Sequence, residues 1–395
     1  MRMERSESRA NVKSAVAKKR AVKEYAKPKA ESDIATDFNE RIEVARGEFQ
    51  EFVGGRNAND QTIILHDSDA DGVTAGVCLE IALKRKGFRQ VARVVPDRQR
   101  NAWTERNRAR VREHNPQSLF VLDLGCAGEP VIENVPTCFI DHHRPEGVPP
   151  NGVLISGYTW QPIPNTSLMV YELCRAMADV DDLEWIAAVG TFSDLGERAP
   201  FEIVERAKGR YTAKWLKEAT ALVNASRRSS LYDPEAAARA LLAHDSPRAL
   251  VESTSEDVKG LRRAREEVKS AMNEAKRAAP TFSNNVALIR INTPCQIHPL
   301  IAQIWRTRLP KYIVIAANEG YLPGRVNFSA RSGEEISVLD FLRSIELDAG
   351  EGSYGHGHDQ ASGGSLPVGS WNFPKASGRV NNANALVVTQ FISEV

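Results

Sequence analysis

The segment Leu65-His66-Asp67-Ser68-Asp69-Ala70-Asp71-Gly72 places three carboxylates at alternate positions, directly after an apolar run of strand length. Carboxylates this crowded repel one another unless a cation neutralises them. The spacing also opens a calcium-binding EF-hand loop. That reading fails because the position needing a bidentate Glu is Cys78, and residues 62–65 read as strand rather than helix. Two more acids share the setting. Asp123 follows Phe120-Val121-Leu122, and Asp141 follows Phe139-Ile140 and is itself followed by His142 and His143. Residues just past the carboxyl ends of parallel strands line one crevice, so these three places should converge there. Carboxylates with one or two imidazoles suit Mn²⁺ or Mg²⁺, and Mn²⁺ is the better match to an imidazole.

The elements that must hold these residues alternate between the two kinds of structure. Residues 33–52 have helical spacing of apolar positions, ended by Gly54-Gly55. Strands are expected at 62–65, 91–95, 118–122 and 137–140, and an amphipathic helix at 74–86 ends at Gly87. Residues 167–178 and 183–189 read as helices. From 233 to 279 the chain is rich in Ala, Glu, Arg and Lys, as a helical connector would be. Strands at 286–291 and 312–316 begin a second domain whose end, 350–364, is dense in glycine. The fold class is therefore α/β: a mostly parallel sheet domain joined by a helical connector to a smaller α/β domain. The expected divisions are a basic helical extension at 1–55, the first domain at 56–230, the connector at 231–280 and the second domain at 281–395.

Composition narrows the class of function. With 42% hydrophobic and 26% charged residues in 395, the chain has the balance of a globular protein of about two domains. It has no apolar run of about 18 residues and its first residues lack the apolar block of a secretory signal, so a cytoplasmic location away from membranes is expected. The cysteines, Cys78, Cys126, Cys138, Cys174 and Cys295, form no C-x-x-C pair, which argues for reduced thiols rather than zinc or disulfides. The net charge of +1 conceals a basic start, from Arg2 to Lys29, that could attract phosphate backbones. A second basic stretch runs through Arg98, Arg100, Arg106, Arg108, Arg110 and Arg112. Its even spacing spreads most of these over solvated helix faces, whereas Trp103 among them could stack on a base.

Taken together, these motifs resemble the DHH phosphoesterase superfamily, named for the triplet Asp141-His142-His143, and within it the RecJ-like single-strand exonucleases. Asp67 to Gly72 is similar to the family's first motif, Asp123 to the second, and Gly190-Thr191-Phe192-Ser193-Asp194 to the fourth. Pro96-Asp97-Arg98 resembles a RecJ-like segment, without the Gly-Tyr-Gly that commonly follows. His298-Pro299-Leu300-Ile301, Ser329-Ala330-Arg331-Ser332 and Gly355 to Gly363 are similar to the DHH-associated substrate domain, with His356 in place of a glycine and Asp359 in place of a proline. The resemblance spans roughly residues 60–370.

What the resemblance implies is a two-metal-ion phosphodiesterase. Asp123 would bridge two divalent cations, Mn²⁺ or Mg²⁺, with Asp67 and Asp69 on one and Asp71, His142 and Asp194 on the other. His143 would face the scissile phosphate, and Asp141 would orient an imidazole. Substrate contacts would come from Arg98, Ser329, Arg331, Gly355, Gly357 and His358. The expected activity is degradation of single-stranded DNA from its 5′ end. The alternatives are hydrolysis of short oligoribonucleotides or cyclic dinucleotides, and a non-catalytic nucleic-acid-binding subunit.

Overall fold

The computed structural model describes residues 31–333, 336–345, 348–350 and 354–372. The basic segment 1–30 lies outside the described residues. The described residues open with helix α1 (Glu31–Gly54) and enter an α/β unit: β1 (Thr62–His66), α2 (Ala70–Lys86), β2 (Val91–Val94), α3 (Glu105–Arg112), β3 (Ser118–Leu122), β4 (Thr137–Asp141) and β5 (Gly152–Ser156). The five strands are all parallel, in the order β2-β1-β3-β4-β5. Strand order therefore reverses between β1 and β3. A crevice opens at that switch point beyond the strand ends, and the first two acidic motifs lie there. β1, β3 and β4 are buried at every position, as continuous apolar runs covered on both faces should be.

Helices α4 (Thr166–Arg175), α5 (Glu184–Asp194) and α6 (Glu202–Arg228, kinked at Thr212) complete the first domain. Three features differ from the sequence expectation. Helix α2 is buried from Ala70 to Glu80, not amphipathic, because α4 and α5 close over it. Its first turn can approach β1 only because residue 72 is glycine: a Cβ there would lie 2.5 Å from the Asp67 carbonyl oxygen. Helix α1 is not an appendage, since Ile42, Ala45, Phe49, Phe52 and Val53 join the core of the first domain. And β5 closes the sheet at a place where the sequence expectation has no strand.

Helices α7 (Pro234–Leu242), α8 (Pro247–Glu252) and α9 (Glu256–Ala275) form the connector. α9 ties the two cores together: Val258 and Leu261 pack in the first, whereas Val268, Ala271, Met272 and Ala275 pack in the second. The second domain follows with β6 (Thr281–Ser283), β7 (Val286–Ile291), α10 (His298–Arg308), β8 (Ile313–Asn318), β9 (Arg325–Arg331), α11 (Val338–Arg343), β10 (Tyr354–His358), β11 (Ala361–Pro367) and α12 (Val368–Asn372). Its sheet is mixed, in the order β10-β11-β9-β8-β7-β6. The described part of the glycine-dense stretch, from Tyr354 on, belongs to a hairpin of β10 and β11. Gly355 (φ +71°) and Gly357 (φ +118°) hold left-handed conformations within it, and a Cβ at 357 would lie 2.5 Å from the Ala361 carbonyl oxygen. Among the described residues, no helix is long and apolar enough to cross a membrane.

Candidate metal centre

Asp67 follows β1, Asp123 follows β3 and Asp141 ends β4, so three adjacent strands deliver the acids to one place. Asp123 takes a left-handed backbone (φ +63°) that costs energy for a non-glycine residue and turns its side chain into the crevice. His142 sits at the centre. Its Nε2 lies 3.4 Å from Asp123 Oδ1, 3.7 Å from Asp71 Oδ2 and 3.8 Å from Asp194 Oδ2. Asp194 arrives from the end of α5, so the four residues expected around one ion are brought together.

Among the described residues no Lys or Arg pairs with this side of the cluster, and His143 Nδ1 lies 3.8 Å from Asp123 Oδ1. Asp71 and Asp123 are 2% and 4% exposed, and burial first, then repulsion from neighbouring carboxylates, push both well above the usual carboxylate range. Asp71 is held by the start of α4: Oδ1 accepts from Asn165 Nδ2 (2.6 Å) and the Ser167 amide (2.6 Å), and Oδ2 accepts from the Thr166 amide (3.0 Å). It thus caps that helix in place of its own N-cap Asn165. Thr166 Oγ1 donates to Asp123 Oδ1 at 3.1 Å. Neutral donors fix these carboxylates without cancelling their charge. Among the described residues, His142 Nδ1 is buried without a hydrogen-bond partner.

The other side is built differently. Asp67 Oδ1 accepts from the Ser68 amide (2.6 Å) and from Arg100 Nε (2.7 Å), and Arg100 Nη2 reaches Asp67 Oδ2. Asp69 Oδ1 caps α2 through the Gly72 amide at 3.1 Å, and its Oδ2 lies 3.5 Å from both Arg100 Nη2 and Arg227 Nη2. Burial works against the Asp69 carboxylate, but Arg227, the Gly72 amide and Arg228 outweigh it and hold the group below its usual range. Burial, then repulsion from Arg227, lowers Arg100 to about 10, which leaves it charged at neutral pH.

Asp141 holds the second histidine. Its Oδ1 accepts from the His143 amide (2.6 Å) and pairs with His143 Nδ1 (2.8 Å), and its Oδ2 accepts from the Gly125 amide (2.6 Å). Burial disfavours the charged form of His143, yet Asp141 more than compensates and raises it above the ordinary imidazole range. The Asp141 carboxyl is held far below its own range, against its burial, chiefly by His143. The imidazole oriented by Asp141 is therefore that of His143.

The second domain meets this centre directly. The His358 ring lies 4.9 Å from His143, nearly parallel, and 5.2 Å from His142. Arg331 on β9 has a buried Nε without a hydrogen-bond partner among the described residues, and Asp194 is the carboxylate that favours its charge. Ser329, 5% exposed, lies on the same strand with its Oγ 3.5 Å from the Ser362 carbonyl oxygen. Gly355 and Gly357 serve the hairpin's own geometry. Arg98 lies between the rings of Tyr232 and Tyr321 and donates to the Ser230 carbonyl, so it clasps the domains together. Trp103 stacks on Phe139 and donates to the Glu129 carbonyl at 2.8 Å, which uses one ring face and its N–H inside the domain.

Several residues of the centre are not singled out by the sequence. Arg227, at the end of α6, is 7% exposed with a partnerless Nε, and its Nη1 donates to Gln296 Oε1 at 3.2 Å. A cation in a helix's last turn ordinarily complements the dipole, so its sequence position carries no distinguishing signal. Asn165 and Thr166 look like an ordinary helix start. Arg100 stands out only as one of a basic run.

Comparison with known proteins agrees with this geometry. No curated protein matches the chain by sequence. Residues 61–191 match the N-terminal domain of the DHH family. Among solved structures, RecJ from Thermus thermophilus in complex with Mn²⁺ is 18% identical with a TM-score of 0.62, over 90% of this chain and 55% of that one. An exonuclease RecJ bound to manganese is 17% identical (TM-score 0.58, 89% of this chain and 94% of that one). The DHH domain of a member of the s1p family of ribosomal proteins is 16% identical (TM-score 0.58, 91% and 95%). The chain spans about half the length of the Thermus RecJ, and at these identities the likeness speaks for the fold. Residues 61–191 thus match the N-terminal domain of the DHH family, and the chain around them has the RecJ-like fold.

Proposed function

We propose that the chain is a two-metal-ion phosphodiesterase that hydrolyses single-stranded nucleic acid from an end, with Mn²⁺ preferred over Mg²⁺. The observation that carries this reading is the buried pair Asp71 and Asp123 around His142, with no Lys or Arg paired to it among the described residues, a donor set that calls for a divalent cation. Asp71, Asp123, His142 and Asp194 would hold one ion, and Asp67, Asp69 and Asp123 the other. Held there, such a pair of ions would supply an activated water and stabilisation of the charge on the leaving oxygen.

The protein's own residues do the rest. With Nδ1 committed to Asp141, His143 has Nε2 left to donate to a phosphate oxygen, and its raised affinity for a proton favours the donor form. His358 closes the opposite wall. The partnerless Nε atoms of Arg227 and Arg331 offer guanidinium edges to phosphates on either side of the histidines. In this reading Ser329 and the hairpin of Gly355 and Gly357 line the strand's path, Arg98 fixes the cleft, and the entering end is 5′.

The test is digestion of end-labelled single-stranded and blunt duplex DNA of about 40 nucleotides, long enough to fill a single-strand groove, with Mn²⁺. Rapid release of mononucleotides from the single strand alone is the expected result. Cleavage confined to substrates of a few nucleotides would replace this activity with scavenging of short oligonucleotides. Binding without hydrolysis would identify a non-catalytic subunit.

A further inference from the structure

The two sides of the acidic cluster are neutralised by different means. Asp67 is 1% exposed, and both of its carboxylate oxygens are engaged by the Arg100 guanidinium, a planar fork matched to a carboxylate. Arg100 also reaches Asp69 at 3.5 Å, where Arg227 arrives at the same distance. Two carboxylates thus face two guanidiniums. On the other side Asp71, Asp123 and Asp194 surround His142, with His143 Nδ1 3.8 Å from Asp123 Oδ1, and among the described residues no Lys or Arg pairs with them within 4 Å.

The presentation of Arg100 is built into the chain. Its backbone is left-handed (φ +57°), a conformation a non-glycine residue holds only when its surroundings impose it. The turn carrying it is pinned by Arg100 N to Asp97 O (2.9 Å) and Gln99 N to Asp97 Oδ1 (3.0 Å). That turn is anchored on α3 by Asn107, which is fully buried. Asn107 accepts from the Asp97 amide at 2.9 Å and donates to the Asn101 carbonyl at 2.7 Å. The side chain of Arg100 is nevertheless 28% exposed, so it has a way out of the crevice that Asp67 lacks.

We propose that Arg100 is a built-in counter-cation that competes with a divalent ion for the Asp67 and Asp69 arm. The Asp71, Asp123, His142 and Asp194 arm then loads first, and the second arm takes an ion only as Arg100 swings out. This inference rests on the two-metal reading above. It sets the order and affinity of metal loading, and it makes the second ion the one whose occupancy depends on metal concentration. A guanidinium and a divalent ion cannot share the same Asp67 oxygens, because the approach of one repels the other.

The experiment is calorimetric titration of the metal-stripped full chain with MnCl₂, read together with the Mn²⁺ electron paramagnetic resonance spectrum, which detects coupling between paired ions. Wild type is compared with Arg100→Asn, which accepts the left-handed backbone, and Arg100→Gln, with circular dichroism confirming that each is folded. The expected wild-type result is one tight Mn²⁺ and a second at least about tenfold weaker, with spin coupling appearing only at high Mn²⁺. In both variants the second affinity should tighten at least about tenfold, and coupling should appear near two equivalents. Two ions bound with the same affinities in wild type and variants would overturn the proposal while leaving the two-metal reading intact. Failure of folded wild type and variants to bind any Mn²⁺ would overturn both.

Discussion

The two arms of the acidic crevice are made from neighbouring stretches of chain and have the same kind of ligand, yet they solve the problem of buried charge in opposite ways. At Asp67 and Asp69 the charge is cancelled internally by Arg100 and Arg227. At Asp71 and Asp123 the oxygens are positioned by neutral donors from α4, and among the described residues no guanidinium pairs with them. Donors without charge fix geometry at little cost to the electrostatic demand for a cation. Guanidiniums satisfy both at once, so an entering metal has something to displace. The difference teaches that a motif's spacing identifies where metal can go, whereas the partners of each oxygen decide how readily it goes there.

The largest expected effect separates the arms by activity. Asp123→Ala should reduce Mn²⁺-dependent hydrolysis by at least about a thousandfold, a barrier increase of about 4 kcal/mol, because in the proposed reading it removes the carboxylate that would be shared by both ions. Asp67→Ala should cost at least about tenfold less, since the first-loaded arm survives. Equal losses, measured as kcat/KM on one labelled strand, would erase the distinction. Next in size is the division of labour between the histidines. His142→Ala should weaken Mn²⁺ affinity at least about tenfold, whereas His143→Ala should keep the affinity and lose rate, since general acid–base and phosphate contacts are worth about a hundredfold or more. Titration of both variants checks this, and matching losses of affinity would contradict it.

Stability of the metal-free chain gives a smaller but sharper contrast. Asp123→Asn removes one of several mutually repelling carboxylates and should stabilise by about 1 kcal/mol in urea unfolding. Asp67→Asn strands a guanidinium and should destabilise by about 2 kcal/mol, less than for a fully buried pair because Arg100 is part-exposed. The first effect should also depend on pH. Asp71 and Asp123 are raised in the folded state above their ordinary 3.8. As pH falls from neutrality toward that value, the folded wild type therefore takes up protons that the unfolded chain does not, and gains stability. The advantage of Asp123→Asn should accordingly shrink as pH falls toward the ordinary carboxylate range. An advantage unchanged with pH would show that repulsion is not its source.

How much of this is legible in the sequence varies with the physics of each residue. An acid placed straight after a buried apolar strand is a local pattern, and the parallel sheet carries Asp67, Asp123 and Asp141 to one edge by topology alone, so the crevice can be read in advance. The triplet and the fourth motif make His142 and Asp194 legible too. Arg100 is not, because a guanidinium in a basic run looks solvated until the turn at Asp97 aims it inward. Arg227 is hidden as a helix-end cation. The burial of α2 depends on which helices cover it, a tertiary fact that apolar periodicity does not contain. The hairpin of β10 and β11 is obscured by its glycines, whose left-handed φ values fit a bulged strand as well as a loop.

The most direct test of the contrast is anomalous diffraction at the manganese edge from crystals of the metal-stripped chain soaked with less than one equivalent of Mn²⁺. The account predicts one peak, bounded by Asp71, Asp123, His142 and Asp194, with Arg100 still on Asp67. A first peak between Asp67 and Asp69 with Arg100 displaced, or equal peaks at both arms, would contradict it.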